Sequence, residues 1–116
     1  MDKRYPGFYR LRKSWEYRLV GKMGCKFNTP HFVLLVLINK TNNSRLGITV
    51  SRKVGNAVQR NRLKRIIREF FRVRNHLYPV LRDYSIIAKR GTALLSSSEI
   101  NRELDKIFSL TVKKSD

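Results

Sequence analysis

The sequence predicts an α+β fold in a single domain, with helices packed on one mixed sheet, and three observations carry that prediction. The continuous apolar run Phe32–Ile38 and the strict alternation from Leu46 to Ser51 have strand character. Apolar residues recur at helical spacing in three other stretches. A length of 116 residues holds one hydrophobic core and not two, so residues 1–116 are read as one unit. The expected order is α-β-β-β-α-β-α.

Residues 1–10, polar and aromatic with Pro6-Gly7, are expected to form a loose arm. Leu11, Trp15, Leu19 and Val20 fall at helical spacing and predict a short helix ended by Gly21 and Gly24. On that helix Trp15 is expected in the core, with Tyr17 about 200° away on the opposite face. Cys25–Asn28 and His31–Asn39 read as strands, the second apolar on both faces and so in need of cover on both. Thr41-Asn42-Asn43-Ser44 is a turn. In the next strand Leu46, Ile48 and Val50 face the core, while Gly47, Thr49 and Ser51 leave room for close approach on the other face. Gly55 makes a turn, and Asn56 with Gln59 caps a long helix running to about Leu77 before Pro79. Its core stripe is read as Leu63, Ile66, Phe70, Val73 and Leu77. A strand at Tyr84–Lys89 and a turn at Gly91 follow. The last helix opens with the capping box Ser96–Glu99 and turns Ile100, Leu104, Ile107, Phe108 and Thr111 inward. There is no internal repeat or low-complexity segment.

Charge sets the functional class. The chain carries 26 Lys and Arg against 8 Asp and Glu, a net charge of +18, and a polyanion would relieve the resulting self-repulsion. Nucleic acid is the first candidate and an anionic membrane the second. No apolar run approaches the roughly 20 residues needed to span a bilayer, and Met1–Arg10 lacks a signal-peptide core, so a cytoplasmic location is expected. Cys25 is the single cysteine, which supports neither an internal disulfide nor a thiolate cluster and reads as a small inert residue. The sequons at Asn39 and Asn42 are chance matches under that expectation.

The densest charge lies on the long helix. Arg60, Asn61, Lys64, Arg65, Arg68 and Arg72 fall along its polar side, and between residues 60 and 74 the only acid is Glu69. Arg52 and Lys53 precede the helix, and Arg62 joins the cluster. Cations gathered at a helix N-terminus repel one another and the helix dipole until an anion binds, and the guanidinium fork suits phosphate. Tyr5, Phe8, Tyr9, Trp15 and Tyr17 interleave with basic residues and supply candidate base-stacking rings, Tyr17 foremost. Gly21-Lys22-Met23-Gly24 matches a backbone-clamping GXXG loop, but a simple helix end explains it better. His31, His76 and the scattered Glu16, Glu69, Asp83, Glu99, Glu103 and Asp105 offer no paired carboxylates for a two-metal nuclease.

The stretch Arg45-Leu-Gly-Ile-Thr-Val-Ser-Arg-Lys-Val-Gly-Asn-Ala-Val-Gln-Arg-Asn-Arg-Leu-Lys-Arg-Ile-Ile-Arg68 resembles the signature of the protein subunit of bacterial ribonuclease P, with Arg60-Asn61-Arg62 as that family's RNR motif. Leu11-Arg-Lys-Ser, His31-Phe-Val-Leu and Tyr84-Ser-Ile-Ile-Ala-Lys-Arg resemble its first helix and two of its strands. The resemblance implies a fold like the second domain of ribosomal protein S5 with a left-handed crossover, the opposite of the general rule. It implies a catalytic RNA that holds Mg²⁺, with the protein binding that RNA and the 5′ leader of precursor tRNA, and neither a membrane nor a small-molecule substrate. The implied RNA contacts are Arg45, Arg52, Lys53, Arg60, Asn61, Arg62, Lys64, Arg65 and Arg68; the implied leader cleft is Tyr17, Leu35, Thr49 and Ser51. No catalytic residue or metal ligand is expected in the protein. One departure is Gly21, where the family commonly has a second aromatic. A ribosomal or other structural RNA-binding protein is the alternative, and a DNA-binding protein a further one.

Overall fold

Every second residue of the strand Phe32–Ile38 (β3) is buried from Phe32 to Val36 while its neighbours are half-exposed, so two unlike surfaces cover its two sides. The computed structural model describes residues 9–39, 44–74, 77 and 82–115. Before β3 come Tyr9–Arg10 (β1), Ser14–Met23 (α1) and Cys25–Asn28 (β2). After it come Arg45–Thr49 (β4), Ala57–Arg74 (α2), Arg82–Ala88 (β5), a 3-10 turn at Thr92–Leu94, and Ser97–Ser115 (α3). The sheet order is β1-β4-β5-β3-β2. β2, β3 and β5 are antiparallel neighbours, whereas β4 runs parallel to both β5 and β1, so α2 is the crossover between parallel β4 and β5.

The α2 and α3 layer forms the core with one sheet face. Phe32, Leu34, Val36, Leu46, Tyr84 and Ile86 meet Leu63, Ile67, Phe70 and Phe71 from α2 and Ile100, Leu104, Ile107 and Phe108 from α3. Phe71, Tyr84 and Phe108 stack mutually with ring centroids 5.2–5.8 Å apart. The expected inner face of α3 is thus the observed one, Thr111 included. Both expected caps form: Asn56 and Gln59 exchange backbone-to-side-chain bonds of 2.9 Å, and Ser96 and Glu99 do so at 2.8 and 3.2 Å.

α1 lies on the opposite face, and here the expectations change. Trp15 and Leu19 are 53% and 44% exposed, not core. Leu11 is buried, but in an extended segment whose N–H bonds the Leu46 carbonyl at 3.0 Å; it sets no helical phase. The helix turns Tyr17 and Val20 to the sheet instead. Gly21 lies inside α1, and Gly24 alone ends it: a Cβ there would come 2.5 Å from the Val20 oxygen and 2.7 Å from the Val36 oxygen. The Gly21–Gly24 match is therefore a helix end and not a clamping loop.

In α2 the stripe is Leu63, Ile67, Phe70 and Phe71, while Val73 and Leu77 are exposed. The phenylalanine pair sets the rotation because it completes the Tyr84–Phe108 cluster, and Ile66 is left partly buried at its rim. α2 ends at Arg74, whose guanidinium lies 4.7 Å from the Phe70 ring centroid. Part of the expected loose arm is the strand β1, its two residues paired with Arg45 and Leu46. Cys25 is exposed and so does not fill space in the core. The rest of the arm, the turn residues 41–43, His76 and Pro79 lie outside the described residues.

Candidate nucleic-acid interface

Among the described residues β1 pairs with β4 at Arg45 and Leu46, and no other strand lies beside the β4 edge beyond Leu46. α1 lies above that edge and α2 below. Between them is a hollow of about 330 Å³ lined by Arg10, Leu11, Arg12, Tyr17, Leu46, Ile48, Lys64 and Arg68. A second hollow adjoins it, lined by Ser14, Tyr17, Arg18, Ile48, Thr49, Val50 and Lys64. Tyr17, Ile48 and Lys64 belong to both, so the two form one groove. Among the described residues its lining has five cations and no carboxylate.

Tyr17 owes its place to Gly47. A Cβ at Gly47 would stand 2.5 Å from the Tyr17 ring, and the Tyr17 hydroxyl donates to the Leu11 carbonyl at 3.3 Å. The small-residue face of β4 thus admits a ring, not a second backbone, and Gly47 is buried beneath it. Gly47→Ala is expected to unseat that ring and cost about 1–3 kcal/mol of stability, as overpacking does, with weaker RNA binding; an unchanged denaturation midpoint would show that the ring is not anchored there.

Arg45 fixes α1 over the sheet. Its Nε and Nη2 bond the two Asp83 oxygens at 2.8 and 2.6 Å, and its Nη1 bonds Glu16 Oε2 at 2.5 Å. Asp83 is 3% exposed and also accepts from the Asn39 amide at 2.7 Å. The other Glu16 oxygen accepts from the backbone N–H groups of Lys13 and Arg12, each at 2.9 Å. The Lys13 N–H first, against the effect of burial, then the Arg12 N–H and Arg45 hold the Glu16 carboxyl below its ordinary value. Asp83 in turn raises Arg45.

The expected RNA contacts do not make one surface. Lys64 and Arg68 line the groove. Asn61 and Arg65 are exposed on the outward arc of α2, and Arg52 and Lys53 are exposed in the turn before it. Arg60 is half-buried, its Nε enclosed without a hydrogen-bond partner. Arg62 lies on the far flank and donates to the Leu95 carbonyl at 3.0 Å. Arg45 is engaged internally, as above. Of the expected cleft residues, Tyr17 and Thr49 line the groove. Ser51 is exposed just past β4, and Leu35 lies on the sheet floor, across Ser85 from Gly47 and 3.9 Å from where a Gly21 Cβ would be.

Arg10, Arg12 and Arg18 are groove cations that the sequence reading missed. Their signal was the run of basic residues through Arg10–Arg18, a segment read for its aromatic rings and not for its charges.

Other described acids are engaged away from the groove. Glu103 accepts from Thr29 Oγ1 at 2.6 Å and from the His31 N–H at 2.7 Å, and pairs with His31 Nδ1 at 2.8 Å. Burial would raise this carboxyl, but those bonds outweigh burial and leave it lowered. Glu69 pairs with Arg72, and Asp105 lies 3.9 Å from Arg74. Among the described residues no three His, Cys, Asp or Glu side chains could hold a metal ion, and no helix is long and apolar enough to cross a membrane.

Fold and groove together define a small basic α+β protein with a cation-lined groove between two helices. Comparison with known proteins names the kind. The sequence profile of the family described as Ribonuclease P matches residues 5–111. The chain is 38% identical over 109 residues to the ribonuclease P protein component of Desulforapulum autotrophicum, covering 94% of this chain and 93% of that one. It is 42% identical over 95 residues to that of Syntrophus aciditrophicus, covering 82% and 80%. The solved structure of the Staphylococcus aureus RNase P protein superposes with a TM-score of 0.84 at 33% identity, covering 89% of this chain and 94% of that one. The chain belongs to the ribonuclease P protein family, the protein components of that endoribonuclease.

Proposed function

We propose that the chain acts as the RNA-binding subunit of a ribonucleoprotein endoribonuclease, contacting both a catalytic RNA and the 5′ leader of precursor tRNA in the cytoplasm. The observation that carries this reading is the groove, where five cations and Tyr17 meet with no acid among the described residues that line it. A single strand laid along the β4 edge would meet Lys64, Arg68 and Arg18 at its phosphates and the Tyr17 ring at a base. Thr49 extends this path. The outward Asn61 and Arg65, with Arg52 and Lys53, face a second body of RNA. Arg60 stands between the two surfaces, and an anion would supply the partner its Nε lacks. Arg45 and Arg62 position elements and leave RNA contact to their neighbours.

Among the described residues no set of side chains builds a Mg²⁺ site, and Glu16, Asp83 and Glu103 are turned to internal donors. Mg²⁺ is therefore assigned mainly to the RNA, and the chemistry with it. The protein's part is to place fixed cations between two polyanions, which lowers the ion concentration they need in order to associate.

Single-turnover cleavage of a leader-bearing precursor tRNA at low Mg²⁺ tests this, with the protein alone, a bacterial ribonuclease P RNA alone, and both. The expected result is one 5′ cut, strongly enhanced only in the mixture. Cleavage by the protein alone would reassign the chemistry to the chain. No enhancement over RNA alone would leave a structural RNA-binding protein without a role in tRNA processing.

A further inference from the structure

The outer side of α1 carries an apolar row that the fold does not use. Trp15, Leu19 and Met23 follow one another at intervals of four residues and are 53%, 44% and 63% exposed. The face of α1 packed on the sheet is filled by Tyr17 and Val20, so the row is not a misplaced core. Arg18 and Lys22, both exposed, run beside it at about 60° or less from Trp15 around the helix axis. Glu16 is the only acid in α1, and its carboxylate is turned to Arg45 and the helix N-terminus. Arg18 also lines the groove. Groove and apolar row are therefore joined by a cation.

We propose that this outer face of α1 is a second contact for single-stranded RNA, in which an unpaired base stacks on Trp15 while Arg18 and Lys22 take the flanking phosphates. The inference rests on the RNA-binding reading and adds a site on the far side of α1 from Tyr17. Charge selects the occupant. A second copy of a chain carrying +18 is repelled, whereas a flexible polyanion with aromatic bases satisfies the cations and the ring together. Three apolar residues on a helix packed along its other side make a poor anchor in a bilayer. A strand leaving the groove past Arg18 reaches Trp15 next.

Trp15 is the chain's only tryptophan, so its emission reports on the site directly. Intact protein is titrated with a short single-stranded oligoadenylate while tryptophan emission and the anisotropy of an end-labelled copy are followed. Stacking predicts quenching without a blue shift, tracking the anisotropy. Trp15→Ala should weaken binding roughly fivefold to hundredfold, the range a stacking contact of about 1–3 kcal/mol converts to, and Trp15→Phe should retain most of it. An exposed helix position tolerates alanine, and the quenching arm needs no variant. Anisotropy that rises without quenching, with Trp15→Ala binding as tightly as the parent, overturns the site while leaving RNA binding intact. Absence of any binding overturns the RNA-binding reading and the site together. A blue shift on phosphatidylserine vesicles without quenching by the oligonucleotide overturns the RNA assignment in favour of a lipid surface.

Discussion

Arg45→Ala is expected to destabilise the protein by about 3 kcal/mol, the lower end of what removing one partner of a buried ion pair costs. The lower end applies because the Arg45 side chain is 24% exposed, whereas that of Asp83 is only 4% exposed. The loss comes less from the attraction removed than from the Asp83 carboxylate left enclosed with only the Asn39 amide of its present side-chain partners. Urea denaturation at neutral pH measures it. The acid limb supplies a second signature. Because the folded-state pKa of Glu16 is lowered, its contribution is complete above the ordinary carboxylate range and is lost as pH falls through the lowered value. Arg45→Ala removes part of that lowering and leaves the part due to the Lys13 and Arg12 N–H groups, so the variant should lose less stability on acidification than the parent. A variant as stable as the parent but weaker in RNA binding would return Arg45 to the set of RNA contacts.

The double variant Lys64→Ala, Arg68→Ala should weaken binding of single-stranded leader RNA on the order of a hundredfold, taking about 1.5 kcal/mol for each charge-assisted contact. Its salt dependence should flatten by roughly 0.7 per lost single-strand phosphate contact, or about 1.4 for the pair. Both side chains are only half-buried, so thermal stability should move little. Arg65→Ala, on the outward arc, should affect binding to the catalytic RNA more than binding to the leader. A double variant with unchanged affinity and slope for the leader would remove the groove from the leader path.

Features resting on local pattern were legible in the sequence. The apolar run of β3, the alternation in β4, the two capping boxes and the inner face of α3 all depend on residues within a few positions of one another. Features that depend on distant partners were not. β1 has only Tyr9 and Arg10, too short for a period, and exists because β4 offers an edge. The rotation of α1 is set by Gly47 and Arg45 on β4, which receive Tyr17 and Glu16; Leu11, counted with the helix, belongs to an extended segment. Arg45 read as an RNA contact because it opens the basic motif, while its partner Asp83 lies 38 positions away. Arg62 faces Leu95 for a similarly remote reason. Of the residues that line the groove, the sequence singled out Tyr17, Thr49, Lys64 and Arg68 but not Arg10, Arg12 and Arg18, because nothing local to those arginines places them beside β4 and α2.

The groove draws one wall from residues 10–18 and the other from residues 64–68, and β4 supplies its floor. An unfolded chain has no such site, so whatever fills the groove binds the folded state in preference. By mass action RNA is then a folding ligand: a free concentration a hundred times the dissociation constant adds about 2.7 kcal/mol to stability. For a chain carrying +18, the nucleic-acid content of its surroundings is a determinant of how much of it is folded, and its measured stability is a property of the pair.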